Sequence, residues 1–478
     1  MTDLVYRSVA ELSGEIRTGA LSPVTLVETV LARVERCRGL NAFITVTADA
    51  ARAQARDAER EIARGQYRGP LHGIPVSLKD LIDTRGVRCT CGSRILADRV
   101  PSADAAVVER LRDAGAVLLG KNALHEFAFG ITTNNPHFGP TRNPWGVDRI
   151  PGGSSGGSGA AVAAGLGPVS LGTDTGGSIR IPAALCGVVG LKPTFGRVSR
   201  HGVFPLSWTL DHVGPLTRTV EDAALVLQAI AGPDPRDPST LGQSVPDFRA
   251  GLRTSVAGAR VGVLADEYHQ EMADDVRSQF RAALEILSGL GLRLEDVRFP
   301  RPAEARAAAQ AVILAEASSV HEGWVRERPG DYGPDTLDLL RQGLFLTATQ
   351  YLRAQKVRAL LLGEADGLLR PYAALVAPTT PVVASAIGQK MVALAGREVE
   401  VRGAMTRLVR LINFVGLPAI SVPCGFGADG LPVGLQFIGR ALDEATLLAV
   451  AHAYEQATPW HTRRPPDPPE NLSRGRVD

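Results

Sequence analysis

Two runs decide the reading of this chain: Pro151-Gly152-Gly153-Ser154-Ser155-Gly156-Gly157-Ser158, and Gly172-Thr173-Asp174-Thr175-Gly176-Gly177-Ser178-Ile179-Arg180. Glycine lets a backbone turn tightly and bring its N–H groups close to a ligand. Serines set among such glycines point to hydroxyl chemistry. An isolated GGSSGGS also fits a flexible linker. Two runs flanking an Ala-rich, helix-forming segment at 160–164 do not read as one. A phosphate loop of the Walker kind needs a lysine after its glycines, and none follows here. Gly153-Ser154-Ser155-Gly156-Gly157 satisfies G-x-S-x-G, but a nucleophile elbow leaves a hydrophobic strand and enters a helix at once. The residues before it, 143–151, include Pro144, Gly146 and Pro151 and do not read as that strand.

On the N-terminal side, Ile74-Pro75-Val76-Ser77-Leu78-Lys79 reads as a short buried strand. Ser102 is placed to cap a helix through Asp113, and 116–119 follows as a second strand. Strand, helix, strand predicts a βαβ unit and a parallel sheet. Prolines and glycines interrupt 139–157, after which 168–172 reads as extended. A second βαβ pattern spans 258–299. Helices dominate 302–365, short apolar runs at 374–377, 420–423 and 433–438 read as strands, and 442–455 as a final helix. In the first 65 residues, Ser22-Pro23 opens an amphipathic helix with Leu26, Val30 and Val34 on its apolar face. A second amphipathic run covers 48–64, with Gly65 as its stop. No internal repeat or dividing linker is visible. The expected fold is α/β: one large mixed, mostly parallel sheet covered by helices, in one domain over 1–465 whose motifs cluster at about 70–220. The Pro- and Arg-rich 466–478 reads as a flexible tail.

The 478 residues, 45% hydrophobic and 21% charged, suffice to bury a large core and close a pocket from water. A formal net charge of +2 gives no basis for a nucleic-acid partner or an anionic membrane surface. Five cysteines, Cys37, Cys89, Cys91, Cys186 and Cys424, do not form a disulfide framework, and a reducing cytoplasm is the expected home. The start carries no basic-then-apolar secretion signal, and no apolar stretch is long enough to span a bilayer. Cys89-Thr90-Cys91 lacks a second Cys or His pair at zinc spacing, so neither metal nor cofactor is expected.

Taken together, Gly73-Ile74-Pro75-Val76-Ser77-Leu78-Lys79-Asp80 and the two glycine-serine runs resemble the amidase signature family. The resemblance continues through Cys186-Gly187-Val188-Val189-Gly190-Leu191-Lys192-Pro193-Thr194 and Asp211-His212-Val213-Gly214-Pro215, and resumes at Gly416-Leu417-Pro418 and Gly434-Leu435-Gln436. Lys79 precedes Ser154 by 75 residues and Ser154 precedes Ser178 by 24, the family's spacing for its lysine–serine–serine triad. The resemblance implies Ser178 as nucleophile, Lys79 as base, and Ser154 as the bridging serine after a cis peptide bond. It implies an oxyanion hole from the N–H groups of Thr175, Gly176, Gly177 and Ser178.

That chemistry is coherent in itself. A serine hydroxyl needs a base before it attacks. Lysine serves only when neutral, and holding a free lysine neutral at pH 7 costs about 4.6 kcal/mol. Burial penalises the ammonium form and offsets that cost. N–H donors beside Ser178 would stabilise a tetrahedral oxyanion, an effect of about 3–4 kcal/mol per donor. Ser155 and Ser158 read as loop-stabilising hydroxyls, Asp174 and Arg180 as braces of the oxyanion loop, and His72 and His125 as structural.

The family embraces plain amidases, aryl-amide and carbamate hydrolases, and the glutaminase subunit of a tRNA-dependent amidotransferase. In that glutaminase, an aspartate seven residues before the asparagine of N-x-x-G-L-P is expected to bind the substrate ammonium. Here the asparagine is Asn413 and the earlier position is Thr406. A neutral, partly apolar amide or carbamate is therefore the expected substrate. A urethane or ester hydrolase is one alternative, and the amidotransferase glutaminase is another. Phe127, Phe129, Ile131, Phe204 and Trp208 are candidates for one pocket wall, with Thr406 and Val409 opposite. A homodimer is left open.

Overall fold

Eleven strands form one sheet among the described residues of this computed structural model, which are 4–469 and 472. They are β1 (Phe43–Val46), β2 (Pro75–Lys79), β3 (Val117–Asn122), β4 (Val169–Asp174), β5 (Val189–Lys192) and β6 (His212–Thr217), then β7 (Arg260–Leu264), β8 (Arg293–Val297), β9 (Ala374–Pro378), β10 (Ala419–Phe426) and β11 (Pro432–Ile438). Their spatial order is β1-β3-β2-β4-β6-β5-β10-β11-β9-β7-β8. The sheet is mixed. The parallel pairing expected from the two βαβ patterns is found on the flanks, where β2 lies between β3 and β4 and β7 lies between β8 and β9. The centre, from β4 through β6, β5, β10 and β11 to β9, is antiparallel.

Helices pack over this sheet, and its central strands are buried along nearly their whole length rather than on alternate residues. All five residues of β2 are buried, including Lys79 at its end. Ser22 caps the helix Pro23–Arg36 as its sequence predicts, accepting from the N–H groups of Val24 and Thr25. The helix expected from Ser102 instead begins at Ala106, with no side-chain cap. Asp104 accounts for the shift: its carboxylate accepts from Arg85 N–H at 2.7 Å and from Arg112 at 2.9 Å, holding 102–105 off the helix. No helix among the described residues is long and apolar enough to cross a membrane. Part of the expected tail lies outside the described residues. Of the rest, Asp467 pairs with the buried Arg33 at 2.6 Å.

The Asp211-His212-Val213-Gly214-Pro215 motif becomes β6, held between β4 and β5. A Cβ on Gly214 would run into the Leu191 carbonyl oxygen. Only a bare backbone fits there, which explains the glycine. Gly214→Ala should therefore cost about 1–3 kcal/mol of stability in urea unfolding, the range for overpacking a rigid interior. A change within about 0.5 kcal/mol would show that the sheet yields freely at this point.

Candidate active site

β2 delivers Lys79 to the centre of the molecule. Its amine is wholly buried and lies 2.7 Å from Ser154 Oγ and 2.8 Å from Thr173 Oγ1. Burial lowers its pKa to about 7, against the opposing pull of Asp174 and Asp211. Near neutrality the amine is thus divided between its two protonation states. In its neutral form it can accept the Ser154 proton. The Gly153–Ser154 peptide is cis.

The two glycine-serine runs are stitched to each other. Ser155 N–H donates to the Ser178 carbonyl at 3.2 Å, and Ser155 Oγ donates to the Thr173 carbonyl at 3.1 Å. Ser158 Oγ donates to Leu171 O at 3.5 Å. Both hydroxyls tie the helix Gly156–Ala163 to β4, which suits a structural part. Beyond β4, the loop 174–179 wraps around the Asp174 carboxylate. That carboxylate accepts from Gly177 N–H at 2.7 Å, from Ile179 N–H at 3.2 Å and from Asn413 Nδ2 at 2.8 Å. Arg180, fully buried, pairs with it at 3.0 Å. Burial alone would raise Asp174, yet the Arg180 guanidinium holds its carboxyl well below the usual range.

This arrangement corrects one expectation. The Gly177 N–H is taken up by Asp174, so it does not point at a reacting carbonyl. The N–H groups of Thr175, Gly176 and Ser178 have no acceptor among the described residues and stay available. Gly177 matters instead for its backbone: its φ is +114°, and a Cβ there would collide with Val409.

No histidine takes the place of Lys79 among the described residues. His72 meets Glu61 at 3.2 Å and His125 meets Asp335 at 3.0 Å. His212 Nδ1 faces the carbonyls of Leu210 and Asp174.

The chain has many relatives among known proteins. A family model described as Amidase matches residues 25–448. A Glutamyl-tRNA(Gln) amidotransferase subunit from Moorella thermoacetica is 43% identical over 97% of this chain and 99% of its own length. The chain belongs to the amidase signature family. Among solved structures of this family is a chain from a vestigial protein complex bearing on the evolutionary origins of an s-triazine catabolic enzyme. It is 39% identical, with a TM-score of 0.91 over 94% of this chain and 98% of its own. The corresponding Glutamyl-tRNA(Gln) amidotransferase subunit from Thermotoga maritima is 36% identical, with a TM-score of 0.79 over 96% of each chain. As an amidase signature enzyme, the protein hydrolyses C–N bonds of amide type.

The expected apolar pocket wall is not assembled in this amidase. Phe127 is spent on an aromatic cluster, 4.4 Å from the His321 ring and 5.3 Å from Phe204. Phe129 lies beneath the Arg402 guanidinium, 5.3 Å away. Ile131 packs with Ile181 and Val409. Phe204 and Trp208 line a separate cavity with Leu81, Thr173 and Asp211, and Trp208 is 63% exposed. Thr406 lines another cavity, and its hydroxyl donates to its own helix at Arg402 O, 2.9 Å away. Phe127 and Phe204 meet, but Phe129, Ile131 and Thr406 each turn to other neighbours, so the six side chains do not form one wall.

Three groups escaped the reading of the sequence. Thr173, the second partner of Lys79, lies inside the Gly172–Arg180 run and was legible there as a third hydroxyl. Asp211 accepts from Thr175 Oγ1 at 2.5 Å, and burial raises its pKa to about 6. Arg410 stands with its Nε 3.3 Å from where a Cβ on Gly176 would be. Nothing in its local sequence, Leu408-Val409-Arg410-Leu411, signals that position.

The burial of Lys79 has a direct consequence. Its amine should titrate with a midpoint near 7, read from the ¹⁵N shift of Nζ in lysine-labelled protein. A midpoint above about 9.5 would mean that the site is wet and the amine ordinary.

Proposed function

We propose that the protein hydrolyses the C–N bond of a small amide through an acyl-enzyme on Ser178, with Lys79 as base and Ser154 as proton relay. The observation that carries this is the fully buried Lys79 amine, 2.7 Å from Ser154 Oγ, with a pKa brought to about 7. At that pKa the cost of a neutral amine at pH 7 falls from about 4.6 kcal/mol to nearly nothing.

Ser178 Oγ attacks the amide carbon while its proton passes through Ser154 to Lys79. The oxyanion rests on the N–H groups of Thr175, Gly176 and Ser178. On collapse the C–N bond breaks, and the nitrogen leaves with the proton returned from Lys79 through Ser154. Water, losing a proton by the same route, then cleaves the ester and releases the acid. Thr173 is a positioning residue that holds the amine through its second hydrogen bond.

A second reading keeps this chemistry and changes its setting. It takes the chain as the amide-hydrolysing component of an amidotransferase acting on glutamyl-tRNA(Gln). The relatives at 41–43% identity over 97–98% of the chain carry that name, and sequence similarity favours this reading. It would bring partner chains and tRNA, against the expectation of no nucleic-acid partner. Thr406, in place of the expected aspartate, and the arginines around it speak for a different amide. Turnover separates the two. The chain alone should hydrolyse a small amide with kcat/KM about 10²-fold above free glutamine. Glutamine turnover that appears only with added partner chains would establish the second reading.

The triad makes its own forecast. Ser178→Ala should abolish turnover and labelling by a fluorophosphonate, whereas labelling that survives there and vanishes in Ser154→Ala would move the nucleophile. Lys79→Ala should lower kcat by about 10²–10⁴-fold with the fold intact, and Lys79→Arg should fare no better, since guanidinium keeps its proton. A base acts only when unprotonated, so kcat/KM should rise with pH along a limb near 7 and level off above it. A flat profile from pH 5 to 9 would remove Lys79 from the role.

A further inference from the structure

Beside the oxyanion loop lies a cavity of about 600 Å³. Its walls include Tyr268, Gln310, Thr406 and four arginines: Arg407, which is paired with Glu271, and three others, Arg306, Arg402 and Arg410. Arg410 is only 7% exposed, and its Nε has no hydrogen-bond partner. Its Nη1 donates to the Gln310 side-chain oxygen, a neutral acceptor. Arg402 rests on the Phe129 ring, 5.3 Å away. Arg306 reaches in from the helix Pro302–Glu327, its Nη2 3.4 Å from where a Cβ on Gly403 would stand. None of the three has a carboxylate within ion-pair distance among the described residues, although other buried arginines of the chain do better. Arg180 has Asp174, Arg197 has Glu444, and Arg407 has Glu271. Glu400 stands at the exposed rim and pairs with none of them.

Gathering three guanidinium groups with no carboxylate in ion-pair contact, and only Glu400 and Asp335 acting from a distance, is unfavourable in itself. Desolvation penalises the buried charge and the neighbours repel one another. Burial, with Arg402 and Arg306 nearby, lowers Arg410 to about 9, which leaves it cationic at neutral pH. Such a cluster is stable in use only when an anion completes it. The free edge of Arg410, Nε with the Nη2 beside it, presents two parallel N–H groups. That fork matches the two coplanar oxygens of a carboxylate. Its distance from Gly176 puts the bound anion a few atoms from a carbonyl poised for Ser178.

We infer that this cavity is an anion subsite and that the substrate is a small amide carrying a carboxylate and no ammonium, its carboxylate held by Arg410 and Arg402. The inference deepens the proposed hydrolysis at Ser178 and rests on it. An α-amino acid amide such as glutamine is disfavoured, because its ammonium would enter the same cationic field. A monoamide of a dicarboxylic acid fits. Hydrolysis would convert it to the diacid, releasing ammonia.

Calorimetry on Ser178→Ala protein, which binds without turnover, tests this with succinamate and glutaramate against succinamide, glutaramide and glutamine. The monoacids should bind on the order of 10²-fold tighter than the diamides, the scale for leaving a buried charged group without its partner. The preference should shrink by about ten-fold or more when Arg410→Gln is added. Should that variant fail to fold, the half-buried Arg402→Gln should show the same direction. Equal affinity for monoacids and diamides, or tighter binding of glutamine, overturns the anion subsite. Fluorophosphonate labelling of the unmutated protein is read in parallel. Labelling without a carboxylate preference sinks the subsite alone, whereas absent labelling sinks the reading of Ser178 on which it stands.

Discussion

Taking the Lys79 amine out of water is the constraint on which the other parts depend. A buried ammonium is costly unless it can shed its proton or find partners. Here it has two hydroxyls and, among the described residues, no carboxylate in contact, with Asp174 and Asp211 near enough only to oppose the shift. Thr173 and Ser154 come from separate runs, so both runs must close around the end of β2. That closure explains why residues 154–160 and 169–178 are buried almost without interruption, although they are rich in serine and glycine. Small side chains permit such packing, and the hydroxyls that remain are satisfied by backbone carbonyls.

The loop that follows β4 needs a second anchor, because a turn of glycines carries little stiffness of its own. Asp174 and Arg180 supply it. Both are fully buried, and Arg180 also donates to Asn413 Oδ1 and to Gln436 Oε1, each at 2.6 Å. The loop is thereby tied to β11 and to the helix Arg410–Phe414, more than two hundred residues further along the chain. Removing one member of such a pair strands a charge in the interior and typically costs about 3–5 kcal/mol. The Gly-Leu-Pro and Gly-Leu-Gln stretches near the C-terminus gain their meaning here. Asn413, just before the first, and Gln436, at the end of the second, brace the loop 174–179 from the far side.

The sequence made some of this plain. Within the expected run 74–79, Pro75–Lys79 forms the strand because apolar residues run to the lysine almost without a break. Both βαβ units are present because their periodicities switch from strand to helix and back. The family resemblance implied that Lys79 and Ser154 act together, and the structure places the Lys79 amine 2.7 Å from Ser154 Oγ. The antiparallel centre of the sheet was not legible, since pairing direction depends on connections that periodicity does not encode. The occupied N–H of Gly177 was equally hidden: whether Asp174 turns inward to accept it depends on Arg180 and Asn413 arriving from elsewhere. The cavity arginines were least visible. Arg306 and Arg410 lie more than a hundred residues apart, and each looks like any surface cation until the helices that carry them are packed.

Lys79 and Arg410 then show how one physical effect serves two ends. Both are buried, and both have their pKa lowered by desolvation first of all. The outcome differs because the starting points differ. Lysine begins near 10.5 and falls to about 7, so its proton becomes exchangeable where the enzyme works. Arginine begins near 12.5 and falls only to about 9, so it remains a cation and a fork of donors. A site that must both remove a proton and hold an anion cannot use the same side chain for both. In the proposed scheme, lysine at the end of β2 takes up the proton and arginine behind Gly176 holds the anion.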